Sequence, residues 1–276
     1  MRVIMTLAVR DEADVIDAHL AFHLSRGVAG VLVTDHRCTD GTSERLAAWA
    51  AADPRVHVLR DDGAAFDQGA LMTAMARRAA GEHGADWVLH GDADEFAWPL
   101  SDPDLPRALA RVPARCGAVR LPRWNFAARP GDGRPFHERM IFRETASTDE
   151  LGRPLRPKVA HRAFGRATVV AGSHAVGTGR PWRTPVCERP VIALLHFPRR
   201  SLAQYEHKTR VGAAAPGYDH KSLRAAAADQ AAGRLAARYA ERFEVGDAAL
   251  ARGLADGSLV EDVRLRDALR ALLSRS

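Results

Sequence analysis

Short apolar runs and longer amphipathic stretches alternate through the first hundred residues. The runs 3–9, 28–34, 56–59 and 87–90 predict strands, and the segments 13–25, 43–52 and 66–80 between them predict helices. That alternation is the signature of a parallel sheet wrapped by crossover helices. Gly27 stops the first helix, and Asp40 or Thr42 caps the second. Ligands of such sheets bind beyond the carboxyl ends of the strands. The residues just after each run are Arg10, Asp11 and Glu12, then Asp35, then Arg60 to Asp62, and then Asp92 to Glu95.

After Phe96 the rhythm changes. Residues 99–113 hold four of the 15 prolines, and 118–121, 140–143 and 191–195 read as strands between long Gly/Pro/Arg loops. Polar, irregular loops of this length suit a substrate-binding excursion or a mobile lid. From Ser201 the chain reads as helical, with apolar spacing in 223–243 and 259–273. The expected organisation is a catalytic domain over 1–200 with a helical extension, 201–276, packed on it.

With 276 residues, 46% of them hydrophobic, the chain can bury a sizeable core. No run approaches the ~18 apolar residues of a membrane helix, and the start does not read as a signal peptide. Cys38, Cys116 and Cys187 are odd in number and widely spaced. They fit neither a disulfide framework nor a zinc pair and are expected as reduced thiols in a cytoplasmic protein. The net charge is +6, yet only three of the 40 basic residues are lysine, which points to biased coding composition. Aromatics are 6% and are not interleaved with basic runs, so a nucleic-acid partner is not expected, whereas a small phosphorylated substrate is.

The sharpest chemical signal is Asp92-Ala93-Asp94-Glu95 at the end of an apolar strand. Two carboxylates spaced i and i+2 in such a turn aim at one ligand, and hard oxygen donors suit Mg²⁺ or Mn²⁺ bridging a diphosphate. The same spacing at Asp102 and Asp104 follows no strand and reads as helix capping. Asp35 closes a strand and suits a nucleobase or ribose, while Asp40 reads as an N-cap.

The ordered series resembles the family 2-like glycosyltransferases with a GT-A fold, in the branch close to glycosyltransferase family 92. It runs through Arg10-Asp11-Glu12, His19, His23, Gly27, the 35–42 turn, Gln68 and Trp87 to Phe96. It continues in Trp124-Asn125-Phe126, Glu138-Arg139, Lys158, His174, Leu195-His196-Phe197, Ser201, Tyr205 and Lys208. The likeness covers about residues 2–212; Asp11, His36, Cys38 and Phe197 depart from the usual Asn, Asn, Ser and Tyr.

The resemblance implies a Rossmann-like mixed sheet flanked by helices, with a helical tail. It implies a transferase that uses a nucleoside-diphosphate sugar, uridine-linked by expectation, and a divalent cation, Mn²⁺ or Mg²⁺. Asp92, Asp94 and His196 are its metal ligands, and Arg10, Glu12, Asp35, Asp92, Lys158 and Lys208 its nucleotide-binding residues. Attack by an acceptor hydroxyl needs a proton acceptor in an inverting enzyme. Glu138 is the first candidate and His174 the second, followed by Asp149 and Glu150. The acceptor is a glycan or polysaccharide precursor; peripheral membrane association is compatible with this, and the oligomeric state is open. Two rivals are a nucleotidyltransferase, which calls for a Gly-rich phosphate loop that the acidic stretch 10–14 lacks, and a non-catalytic glycan-binding protein of the same fold.

Overall fold

The computed structural model describes residues 1–131, 133–178, 185–214 and 221–274. The chain forms two compact units: Met1–Gly63, Asp67–Arg123 and Arg156–Leu194 make the first, and Ala64–Phe66, Trp124–Leu155 and Leu195–Ser276 the second. Part of the expected helical tail, residues 215–220, lies outside the described residues.

In the first unit β1 (Val3–Val9), α1 (Ile16–Ser25), β2 (Gly30–His36), α2 (Thr42–Ala52), β3 (Val56–Asp61), α3 (Gln68–Gly81) and β4 (Trp87–Gly91) alternate as the hydrophobic pattern requires. Next come β5 (Glu95–Pro99), α4 (Leu105–Ala110) and β6 (Ala118–Leu121). The seven-stranded sheet has the order Val186–Cys187, β6, Lys158–Arg162, β4, β1, β2, β3. Strands β4, β1, β2 and β3 run parallel, while Lys158–Arg162 lies antiparallel to both β4 and β6. The expected mixed α/β sheet flanked by helices is therefore present. Every residue of β1, β2 and β4 is buried, which is why these strands read as continuous apolar runs without alternation.

Register fixes where the strands end. Val9 lies level with Asp35, and Asp35 with Arg60. Leu7 lies level with Gly91. Because the four strands are parallel, Arg10, Asp35, Arg60 and the turn after Gly91 leave the sheet at one edge.

Two departures from expectation have physical causes. Residues 99–113 were expected as loop but hold α4, since Pro106 sits in its first turn, where a missing N–H costs nothing, and the Asp104 carboxylate caps it by accepting from the Arg107 N–H at 2.8 Å. The strand Lys158–Arg162 has no apolar alternation to mark it, and it is held between two neighbours at the centre of the sheet.

The second unit pairs Phe142–Glu144 antiparallel with Leu259–Glu261. Tyr205, Ala226, Leu235 and Tyr239 form a small core in it, with Leu202 and Phe243 packed against them. The expected helix over 223–243 is broken into Lys221–Ala231 and Leu235–Arg242, with Gly233 at φ 68° between them. The stretch 259–273 begins as a strand before the helix Arg264–Leu273. Among the described residues no helix is long and apolar enough to cross a membrane.

Gly27 ends α1 at φ 86°, and a Cβ there would lie 3.0 Å from Pro106 Cδ. Gly27→Ala should cost about 1–2 kcal/mol from the left-handed conformation alone. It should lower Tm by at least about 2 °C for each kcal/mol. Thermal unfolding checks this, and an unchanged Tm would mean that the turn relaxes freely.

Candidate functional site

The turn after β4 is built around a buried ammonium. The Lys158 Nζ lies 2.7 Å from Asp92 Oδ2 and 2.6 Å from Glu95 Oε2, and Arg123 Nε lies 2.8 Å from Glu95 Oε1. Lys158 is 1% exposed and Glu95 fully buried. Gln68, at the head of α3, donates from Nε2 to Asp92 Oδ1 at 2.9 Å and accepts the Gly172 N–H at 2.9 Å, which settles the orientation of its amide. The Asp92 N–H donates to Glu95 Oε2, and the Glu95 N–H to the Asp92 carbonyl. A side chain at Gly91 would place Cβ 2.6 Å from Met5 Cε, so glycine leaves room there for the buried Met5 side chain.

These contacts set the charges. Burial raises the Asp92 carboxyl, but the Lys158 ammonium outweighs it and holds Asp92 below the usual carboxylate range. Burial likewise lowers Lys158, and Asp92 and Glu95 outweigh it and hold the amine above its ordinary value.

Asp92, expected as a metal ligand, already has one partner on each oxygen, Gln68 on Oδ1 and Lys158 on Oδ2. Asp94, the other carboxylate of the pair, is 7% exposed and is a hard oxygen donor of the type that suits a divalent cation. Among the described residues no group of three or more His, Cys, Asp or Glu side chains is arranged to hold a metal ion. Lys158, expected against phosphate, is instead the internal counter-ion of the turn. Asp102 pairs with Arg111 and Asp104 caps α4, so strand context separates the two Asp-Xaa-Asp sequences.

At the ends of β1, β2 and β3 a cavity of about 350 Å³ is lined by Arg10, Asp35, Arg37, Cys38, Thr39, Ser43, Arg60 and Asp62. The strand-end rule had picked out four of these, Arg10, Asp35, Arg60 and Asp62. It missed Arg37, whose only signal is its place in the turn after β2, at φ 51°. Asp35 is oriented by its own turn, accepting from Ser43 Oγ at 2.7 Å and from the Cys38 N–H at 3.3 Å. Arg10 reaches His36 Nε2 at 3.4 Å, and His36 Nδ1 lies 2.7 Å from Asp61 Oδ2. Buried Arg10 Nε has no partner among the described residues.

The loops after β1 and β2 are stitched together. Asp11, at φ 57°, accepts from the Thr39 N–H at 2.6 Å. The Glu12 N–H donates to Thr42 Oγ1 and the Ala13 N–H to Asp40 Oδ2. Glu12 therefore meets the neighbouring loop through its backbone, its side chain being buried. Asp40 also accepts from the Thr42 N–H, but the N-cap of α2 is Gly41 at φ 97°, so Asp40 stands one residue before the capping position expected of it and the cap makes no side-chain bond.

His174 lies half-buried in the first unit, with Nδ1 2.9 Å from the Pro157 carbonyl. Nδ1 therefore carries the proton and Nε2 the lone pair. Burial lowers its pKa, and the charges of Arg156, Lys158 and Arg123 lower it further.

In the second unit Glu138 is held by both Nε and Nη2 of Arg270. That pairing keeps its carboxyl below the usual range, with burial opposing weakly, so the structure makes Glu138 a salt-bridge partner and a weak proton acceptor. Asp149 closes a turn by accepting from the Leu151 and Arg153 N–H groups, and Glu150 pairs with Arg199 at 3.2 Å.

His196 Nδ1 lies 2.7 Å from Asn125 Oδ1. The Asn125 amide nitrogen donates to Glu144 and to the Thr148 carbonyl, so His196 donates through Nδ1 and keeps Nε2 as its acceptor nitrogen. Lys208 lies half-buried in the helix Leu202–Ala214.

No family model matches the chain. No curated protein matches it either. Among solved structures it is similar to S. aureus TarS 1-349 in complex with UDP, at 14% identity and TM-score 0.46 over 87% of this chain and 72% of that one. It is also similar to the mannosyltransferase PcManGT from Pyrobaculum calidifontis in complex with GDP-Man and Mn²⁺, at 17% identity and TM-score 0.42 over 99% and 86%. A third is glucosyl-3-phosphoglycerate synthase from Mycobacterium tuberculosis in complex with Mg²⁺ and UDP, at 16% identity and TM-score 0.31 over 44% and 43%.

Removing the ammonium tests the turn. Lys158→Met should destabilise the protein by about 3–5 kcal/mol at pH 7, because it strands the buried Glu95 carboxylate and leaves the half-buried Asp92 without its cation. Asp92 has a lowered folded pKa, so its contribution is present above the unfolded value of about 3.9 and is lost as pH falls. The difference between variant and wild type should therefore shrink toward pH 3, as denaturant titrations at several pH values would read. A constant difference would show that Lys158 acts through packing alone.

Proposed function

We propose that the protein is a cytoplasmic, inverting glycosyltransferase that moves a sugar from a nucleoside-diphosphate sugar, uridine-linked by first preference, to a glycan or polysaccharide-precursor hydroxyl. The observation that most supports this is the shared edge of β4, β1, β2 and β3, with a guanidinium-lined cavity at one end and the Asp92–Glu95 turn at the other. Two strand spacings separate the ends of β2 and β4, about 10 Å, a gap that an extended nucleoside diphosphate bridges. The motif series from Arg10 to Lys208 supports the same reading.

In this reading Asp35 and Arg10 hold the nucleoside, with Arg37 and Arg60 supplying positive charge around it. Lys158 keeps Asp92 and Glu95 in place, so that Asp94 is presented on a rigid turn. A divalent cation held by Asp94 would neutralise the charge that develops on the departing nucleoside diphosphate. The motif resemblance gives His196 as a further metal ligand and Lys208 as a phosphate contact. His174 is the proton acceptor: Nε2 takes the hydroxyl proton as the acceptor oxygen bonds to the anomeric carbon. The bond from that carbon to the diphosphate breaks, and its electron pair leaves with the nucleotide. His174 replaces Glu138 in this role because its acceptor nitrogen is neutral, whereas proton transfer to Glu138 would dismantle its pair with Arg270.

Two sets of variants test the proposal. Asp94→Asn should abolish most of the Mn²⁺-dependent affinity for UDP measured by calorimetry and leave Tm nearly unchanged, while Asp102→Asn alters neither. Equal UDP affinity with excess chelator would overturn the metal-assisted reading.

His174→Ala should lower the transfer rate by about 10²-fold or more with UDP binding intact. Glu138→Gln should act on thermal stability alone. If Glu138→Gln loses turnover and His174→Ala does not, the base is Glu138.

A further inference from the structure

We propose that His19 and His23 are positioning residues, a two-point clamp by which α1 sets the place of the Asp94–Glu95 turn; the inference rests on reading that turn as the diphosphate end of the site. His19 Nδ1 lies 3.0 Å from the Ala93 carbonyl, which can only accept, so Nδ1 donates. His23 Nδ1 lies 2.8 Å from the His19 carbonyl and also donates, leaving His23 Nε2 to accept the Ala97 N–H at 3.0 Å. Both tautomers are thus determined by their partners. The two side chains sit one helical turn apart, fully buried, with ring centroids 4.2 Å apart. Their backbone contacts fall on either side of Asp94 and Glu95.

The bonds inside the turn, Glu95 N–H to the Asp92 carbonyl and Asp92 N–H to Glu95 Oε2, fix its shape. They do not fix its distance from the helix. The ion pairs of Lys158 and Arg123 run to carboxylates of the turn, Asp92 and Glu95. That task falls to the imidazoles.

Packing alone does not ask for them. His19 Nε2 is buried without a donor among the described residues, so a hydrocarbon of the same volume would be the better core side chain. What the imidazole adds is the Nδ1–H on the Ala93 carbonyl. Phe22 and Phe96 pack around the pair with ring centroids 5.2–6.0 Å from the imidazoles and keep water from competing for these bonds.

The test uses the full chain with His19→Leu, His23→Leu and two amide variants that keep one polar atom in place. Asn at 19 puts an N–H donor where Nδ1 stood, and Gln at 23 puts an acceptor where Nε2 stood. Hydrogen exchange of the free protein should quicken about tenfold or more across 93–97 in the leucine variants and stay near wild type in His19→Asn and His23→Gln. With Mn²⁺ present, His19→Leu should weaken UDP about tenfold, equivalent to about 1.4 kcal/mol, and leave uridine unchanged, while His19→Asn recovers UDP affinity.

Unchanged exchange in both leucine variants overturns the clamp, as does equal weakening of UDP and uridine, which marks general damage to the pocket. Should the leucine variants fail to fold, the mismatched amides His19→Gln and His23→Asn decide. They must lose the protection that His19→Asn and His23→Gln keep. Wild type that binds no UDP with Mn²⁺ would refute the functional reading, and the exchange data would still judge the clamp.

Discussion

One buried ammonium organises the first unit. Lys158 enters on a strand paired with β4 and β6, and its Nζ closes the Asp92–Glu95 turn that follows β4. Each charge there would be intolerable alone, since desolvating an unpaired carboxylate or ammonium costs several kcal/mol even after relaxation. The pairing makes strand and turn mutually dependent: the antiparallel strand delivers the cation, and the turn keeps its shape only with the cation present. Gln68 extends the dependence to α3 and, through Gly172, to the segment leading to His174.

Elsewhere the interior stays polar by staying neutral. Thr6 Oγ1, His90 and His161 form a chain that ends on the Arg162 carbonyl, at 2.6, 3.0 and 2.7 Å. The carbonyl can only accept, so His161 donates through Nδ1, His90 through Nε2 and Thr6 through its hydroxyl, one proton per link with none left over. Burial drives His161 down to about 4 and His19 down to about 3, and it holds His90 well below the ordinary imidazole value. At neutral pH these histidines are neutral hydrogen-bonding groups. Buried fixed charge persists in the second unit, where Arg200 is 1% exposed and Arg139 8%.

How far the site could be read from sequence follows from where its information lies. Buried parallel strands write themselves as apolar runs, so β1, β2 and β4 could be placed, and with them Arg10, Asp35 and the Asp92–Glu95 turn; the shorter run of β3 placed Arg60. Helix stops set by backbone geometry, such as Gly27, were equally legible. Lys158 was seen but its environment was not, because Lys158–Arg162 is a short strand whose burial comes from non-local pairing. Glu138 was ranked above His174 on resemblance, and its partner Arg270 lies 132 residues away, beyond anything local spacing reports. The tautomers of His19, His23 and His196 depend on single carbonyl, amide and N–H partners, which no pattern of residue types encodes.

The lysine itself follows from geometry. The chain has three lysines against 37 arginines, and arginine serves wherever a planar fork can reach several acceptors. Arg139 shows this, spreading over the carbonyls of Arg134, Arg129 and Arg200. Between Asp92 Oδ2 and Glu95 Oε2 the requirement is different. Both oxygens lie within 2.7 Å of one nitrogen, in a space left by a fully buried strand. A compact ammonium on an unbranched stem meets both from one atom, whereas a guanidinium would need the two carboxylates side by side in one plane. A composition that writes 37 of its 40 cationic residues as arginine carries lysine here because a point charge is what this turn can enclose.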